Sequence, residues 1–173
     1  GADLTCEMAM LIGRGAAAVL TSSTGHKPRI LIGKDTRQSG DMLEAALTAG
    51  LCSVGADVES LGVVPTPAVA YLVRKYNADA GVVISASHNP MEFNGIKIFA
   101  GTGYKLPDDV EEEIEAHIDD KCAGIPLATG DGVGRVTCRI DGIKDYVEHL
   151  YESIGGDLSG LNVCIDCANG ASA

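Results

Sequence analysis

The chain has no tryptophan, and its aromatic residues amount to two Phe and five Tyr. Large aromatic anchors are therefore scarce, and a core has to be assembled from Val, Ile, Leu, Ala and Met. Net positive charge is lacking as well. A formal charge of −11 argues against a nucleic-acid partner, because phosphate backbones are held by a basic footprint. Small anionic substrates are not excluded, since they respond to the local field of a cleft. No apolar run approaches the ~20 residues of a membrane span, and no signal-peptide pattern is visible, so no membrane partner is expected. Internal repeats and low-complexity segments are absent too.

What is present is a chain of 173 residues, 46% hydrophobic, enough for one packed domain, or one domain with a piece of the next. Its six cysteines, at 6, 52, 122, 138, 164 and 167, are scattered in a chain that needs no staples, which suggests reduced thiols in a cytoplasmic protein. Cys164 and Cys167 have C-x-x-C spacing, but they lie in a strand-like run with no second ligand pair suitably spaced. Eight acids crowd between Asp108 and Asp120, a pattern that reads as a solvated helix face.

Helix and strand patterns alternate. Met8, Leu11, Ile12, Val19 and Leu20 recur at helical spacing, with Thr5 placed to cap the start. A short apolar run from Arg29 to Ile32 suits a buried strand. A second helix carries Met42, Leu43, Ala46, Leu47, Leu51 and Val54, capped by Ser39 and closed by Gly55. Val58 to Val64 gives a strand, and Pro67 then opens a helix reaching about Tyr76. Strands are expected at Gly81–Ile84 and Ile96–Phe99, the acidic helix at 107–118, a loop at 124–134, a strand at 135–140 and a helix at 141–154. This order predicts the α/β class: a mainly parallel sheet sandwiched between helices. After a linker at 155–160, residues 161–166 read as a fresh buried strand. The expected division is a domain over 1–154, lacking its first strand and loop, followed over 155–173 by the linker and first strand of a truncated second domain.

Chemistry concentrates where the strand ending at Ile84 runs into Ser85-Ala-Ser-His-Asn-Pro90. Carboxyl ends of parallel strands are where α/β sheets bind ligands. Small residues there let backbone approach an anion, and Asn89-Pro90 enforces a turn. His88 offers a proton carrier beside a hydroxyl. Asn94-Gly95 reverses the chain, so Lys97 can return a cation toward the serines. A hydroxyl, an imidazole and an ammonium at one strand end suit covalent phosphoryl transfer, although an ordinary polar loop has the same composition.

The run Ile84-Ser-Ala-Ser-His-Asn-Pro90, followed by Asn94-Gly-Ile-Lys97, resembles the active-site signature of the α-D-phosphohexomutase family. Gly33-Lys-Asp-Thr-Arg37, Gly62-Val-Val-Pro-Thr-Pro67 and Asp166-Cys-Ala-Asn-Gly170 resemble flanking family motifs. Within the family, the serine loop is most similar to the branch acting on glucosamine phosphates; a mannose- or glucose-phosphate mutase and a non-catalytic phosphate-binding module are the alternatives.

The resemblance implies an isomerase in which Ser87 carries the phosphoryl group and Ser85 is structural. His88 would contact that group, and Lys97 would supply positive charge and move a proton. Arg37 would either meet phosphate or hold its loop by pairing with Asp35. Asn89 and Asn94 would support the loop, while Thr66 and Pro67 would shape the domain edge. It also implies a sugar 1,6-bisphosphate activator and one Mg²⁺, ligated through the Ser87 phosphate and an Asp-Gly-Asp-x-Asp-Arg loop. That loop does not occur here, and Gly130-Asp-Gly-Val-Gly-Arg135 offers one carboxylate where three are needed. The fragment alone is therefore expected to be inactive.

Overall fold

The computed structural model describes residues 4–22 and 24–172, with Thr21 described through its backbone alone. Five strands, β1 (Arg29–Lys34), β2 (Asp57–Val63), β3 (Ala80–Ile84), β4 (Ile96–Ala100) and β5 (Val136–Cys138), form one sheet in the order β4-β3-β1-β2-β5. Pairing is parallel except between β3 and β4, which form an antiparallel hairpin with Ile84 opposite Ile96. The helices are α1 (Cys6–Thr21), α2 (Ser39–Ser53), α3 (Thr66–Lys75), α4 (Asp108–Asp119) and α5 (Gly142–Ile154). The expected α/β/α sandwich with a mainly parallel sheet is the architecture observed.

Strand periodicity sorts the core into two layers. Ile30, Ile32, Val82 and Ile84 join Leu43, Leu47 and Leu51 of α2 on one face of the sheet. The alternate residues Leu31 and Val83 join Val69, Leu72 and Val73 of α3, with Tyr146 of α5, on the other. Interior strands buried on both faces lose the polar alternation of a half-exposed strand, which is why β3 reads as an uninterrupted apolar run. Outside the α1–α2 layer, Ile114 and Leu106 pack on Ala16 of α1. The acids of α4 point outward and are exposed, apart from the half-buried Glu111.

Close approach of α1 and α2 depends on glycine. A Cβ on Gly50 would lie 2.2 Å from the Met10 carbonyl oxygen, and one on Gly13 would lie 2.5 Å from that of Leu47. Local chemistry sets the helix starts. Thr5 caps α1 by accepting from the Met8 N–H at 3.2 Å, a contact of about 1 kcal/mol. Pro67 occupies the first turn of α3, where a missing N–H costs nothing. At α2 the expected cap is corrected: the N-cap is Gln38, without a side-chain bond. Ser39 begins the helix, and its hydroxyl accepts from Asn94 at 2.9 Å.

Residues 161–166 also differ from expectation. They form no strand, and Leu161, Val163 and Ile165 are exposed. Their apolar alternation suits a strand, but no neighbour completes the hydrogen-bond ladder that a strand requires. No helix among the described residues is long and apolar enough to cross a membrane.

Candidate active site

Because β1, β2 and β3 run parallel as neighbours, their carboxyl ends open onto one edge of the sheet. The loops leaving them line a depression of about 860 Å³. Asp35 to Gln38 come from the turn after β1 and Val64 to Thr66 from the entry to α3. Ser85, Ser87, His88, Asn89 and Met91 come from the turn after β3, and residues 167–172 close the remaining side. Ser87 and His88, singled out by the sequence, are thus placed together.

The serine turn is held from several directions. The Ser85 N–H donates to the Gly95 carbonyl at 2.9 Å, and a Cβ at Gly95 would lie 3.1 Å from the Ser85 carbonyl oxygen. Ser85 itself is buried, and its hydroxyl accepts from the Ser87 N–H at 3.1 Å. Ser87 has φ of 57°, the left-handed region that non-glycine residues seldom occupy and that clusters at functional sites. Its side chain faces solvent, with Oγ 3.4 Å from His88 Nδ1. A hydroxyl next to an imidazole on an exposed turn can form a phosphate ester and present a ring nitrogen to its oxygens.

Arg37 is bonded to its own turn and to the serine turn. Nε donates to Asp35 Oδ2 at 2.9 Å, and the Arg37 backbone N–H donates to Oδ1 of the same carboxylate at 3.0 Å. The remaining guanidinium N–H groups point to backbone carbonyls of the serine turn. Asn94 bridges as well, donating to Ser39 while its Oδ1 accepts from the Gly95 N–H at 2.9 Å. Asn89 contributes its carbonyl to Arg37 and lines the depression. Behind the loop, Lys34 bonds Asp41 at 2.6 Å and Glu44 at 2.5 Å. Burial lowers its affinity for a proton, but the hydrogen bonds it donates to the two carboxylates, with their charge, outweigh it and hold the ammonium above its ordinary range.

Lys97 stands apart. It pairs with Val83, one residue inside the hairpin, and is exposed. It lines a separate groove of about 570 Å³ between β4 and α4, not the depression around Ser87. The hairpin expected from Asn94-Gly95 forms, but it does not carry Lys97 into that depression.

Two contributors go beyond the sequence expectation. Thr66 lines the depression beyond shaping the edge, while Pro67 does not. Thr36 lines it too and donates to the Asn169 carbonyl, linking residues 167–172 to the turn after β1. Both sit in motifs already noted, so position within a motif was the available signal.

A hard cation would need several oxygen ligands. Among the described residues no group of three His, Cys, Asp or Glu side chains could hold one. Asp35, the one carboxylate lining the depression, is engaged by Arg37. Asp131 lies in an exposed turn. The described residues do not fit a Mg²⁺ site.

Comparison with known proteins gives a consistent result. The family model described as "Phosphoglucomutase/phosphomannomutase, alpha/beta/alpha domain I" matches residues 1–123. A protein of Acetivibrio thermocellus named phosphoglucosamine mutase is 61% identical over 170 residues, covering 98% of this chain and 38% of that protein. Its namesake in Clostridium acetobutylicum is 56% identical with the same coverage. The chain thus spans 38% of the length of these curated relatives. Among solved structures, a phosphoglucomutase/phosphomannomutase family protein of Burkholderia thailandensis superposes with a TM-score of 0.70 at 26% identity, over 86% of this chain and 32% of that one. Parafusin of Paramecium, at 18% identity and a TM-score of 0.60 over 83% of this chain and 31% of that one, shares the fold.

Proposed function

Because the chain belongs to the phosphoglucomutase/phosphomannomutase family, as its alpha/beta/alpha domain I, we propose that it supplies the phosphoryl-carrying serine of an enzyme interconverting glucosamine 6-phosphate and glucosamine 1-phosphate. The observation that carries this reading is Ser87, held left-handed and exposed beside His88 at the carboxyl ends of three parallel strands. Identities of 55–61% to relatives named phosphoglucosamine mutase support the choice of sugar.

The cycle begins with a phosphate ester on Ser87. A free hydroxyl of the bound sugar phosphate attacks phosphorus. The bond to Ser87 Oγ breaks, the hydroxyl proton passes to Oγ, and the sugar becomes a 1,6-bisphosphate. After the intermediate turns over, Oγ attacks its other phosphoryl group. That group returns to Ser87, and the proton goes back to the sugar oxygen. His88 steadies phosphoryl oxygens through its ring nitrogen. Family resemblance assigns Lys97 to proton movement; it is exposed on β4, in the groove beside the depression, and would have to reach the sugar from there. The bisphosphate doubles as activator because it regenerates the phosphoserine.

The remaining length of the relatives bears on domain organisation. α5 presents Ile143, Val147, Leu150 and Ile154 to solvent at 41–50% exposure, a stripe at helical spacing. Together with Leu161, Val163 and Ile165 it is the face on which a second domain, beginning within 155–173, would pack. Six unpaired cysteines accord with a cytoplasmic setting.

Replacing Ser87 tests the proposal. In the full-length protein Ser87→Ala should lower mutase activity by at least about 10³-fold and abolish uptake of phosphate from glucosamine 1,6-bisphosphate, read by intact mass. Full activity in that variant refutes the covalent route. Equal or faster turnover of mannose or glucose phosphates refutes the choice of glucosamine.

A further inference from the structure

We propose that Arg37 is a positioning residue for transfer at Ser87: it acts as a template around which residues 87–93 fold, and it makes no contact with the phosphoryl group. This rests on the reading that Ser87 carries that group.

A guanidinium has five N–H donors in a fixed plane and no acceptor. In Arg37 all five are engaged. Nε meets Asp35 Oδ2 at 2.9 Å. One terminal nitrogen donates to the carbonyls of Pro90 at 2.7 Å and Phe93 at 2.9 Å. The other donates to those of Ser87 and Asn89, both at 2.9 Å. No donor is left for a phosphate, and the side chain is only 9% exposed.

The acceptors bracket the reacting residue. Four carbonyls drawn toward one planar group fix the turn on both sides of Pro90, and with them the uncommon left-handed backbone of Ser87. Asp35 completes the template by binding both the side chain and the backbone of Arg37, while its own N–H is anchored to the Ile84 carbonyl at 3.0 Å. The clamp is therefore tied to the ends of β1 and β3, the most buried strands. Lysine could keep the charge but cannot reproduce a planar five-donor fork.

Placing a nucleophile wrongly by about 1 Å can cost 10²-fold in rate. A group used only to place the nucleophile should change kcat, whereas one that grips substrate should change KM. The test is Arg37→Lys in the full-length protein. We expect kcat to fall about 10²-fold with KM for the sugar phosphate within about twofold, and amide exchange to quicken in residues 87–93 while β1 and β3 stay protected. A raised KM at unchanged kcat overturns the proposal, because Arg37 would then be holding phosphate. Wild-type values for both overturn it as well.

If Arg37→Lys loses protection throughout the sheet, Asp35→Asn serves instead. It leaves the guanidinium and weakens its anchor, so kcat should fall about tenfold at constant KM; unchanged kcat overturns the proposal. The two readings fail separately. A fully active Ser87→Ala removes the serine chemistry whatever Arg37 does. An inactive Ser87→Ala beside a wild-type Arg37→Lys removes only the clamp.

Discussion

The serine turn at 85–95 and the segment at 155–172 are both irregular, and both meet at the same depression. The first is tied to two strand ends by Arg37, Asn94 and Ser85. The second is tied to the body through Thr36 and Asn169, and its other described hydrogen bonds are local, such as those of Asp157 with Ser159 and of Asp166 with Ala168. The contrast extends to the helices behind each region. α2, under the serine turn, interlocks with α1 through glycines, whereas α5, ahead of the segment, leaves an apolar stripe in solvent. Irregular backbone is made precise by the buried groups it is bonded to, not by secondary structure of its own.

The largest expected effect lies on the interlocked side. Gly50→Ala places a methyl 2.2 Å from the Met10 carbonyl oxygen, a backbone atom that can retreat only if α1 moves. Overpacking of this kind costs about 3 kcal/mol, to be read as the loss in urea unfolding free energy. A loss under 0.5 kcal/mol would mean that the seam between α1 and α2 is loose, and the contrast with α5 would collapse.

An intermediate effect concerns the tether that holds α5. The Tyr76 hydroxyl donates to Asp145 Oδ2, and Lys75 stands 3.3 Å from the same carboxylate. The Tyr76 bond lowers the Asp145 carboxyl below its usual range against the opposing effect of burial, and Lys75 adds to the lowering. Burial, then Asp145, raises the Tyr76 phenol. With the carboxyl depressed in the folded state, its contribution is present above the unfolded value of about 3.9 and is lost as pH falls through the folded value. The phenol contributes fully below its free value of about 10, and that contribution fades as pH rises past it. Tyr76→Phe should cost about 1.5 kcal/mol near neutrality and flatten both limbs of the stability profile relative to wild type. Parallel profiles would show that the pair does not anchor α5.

These two regions also explain what could be read from sequence. Buried strands such as 81–84, the proline at the start of α3, the threonine cap of α1 and the serine turn all declare themselves within a few residues, because the physics that shapes them is local. Arg37 does not. Its partner Asp35 is two residues away, compatible equally with a self-contained turn or with a substrate contact, while the deciding carbonyls belong to residues 87–93. Ser39 looked like a helix cap for the same reason: the Asn94 amide that occupies its hydroxyl lies far off in sequence. Residues 161–166 fail in the opposite direction. Their alternation is that of a strand, but a strand exists only where a neighbour offers a ladder.

The smallest expected effect is the sharpest test of the exposed side. Leu150 is 41% exposed at the middle of the α5 stripe, and its neighbours Ile143, Val147 and Ile154 are as open to solvent. Leu150→Ser should therefore change the unfolding free energy of the 173-residue chain by no more than about 0.5 kcal/mol. In the full-length protein, where a second domain is proposed to cover the stripe, the same change should cost about 2 kcal/mol, the transfer and cavity penalty of a buried leucine. The two measurements have to differ. Equal small losses would leave the stripe solvent-facing in both proteins and remove the proposed domain contact. Equal large losses would mean that α5 already buries Leu150 within this chain. A loss confined to the longer protein would show that α5 and the apolar residues after it derive their order from what packs on them, as the serine turn derives its order from Arg37.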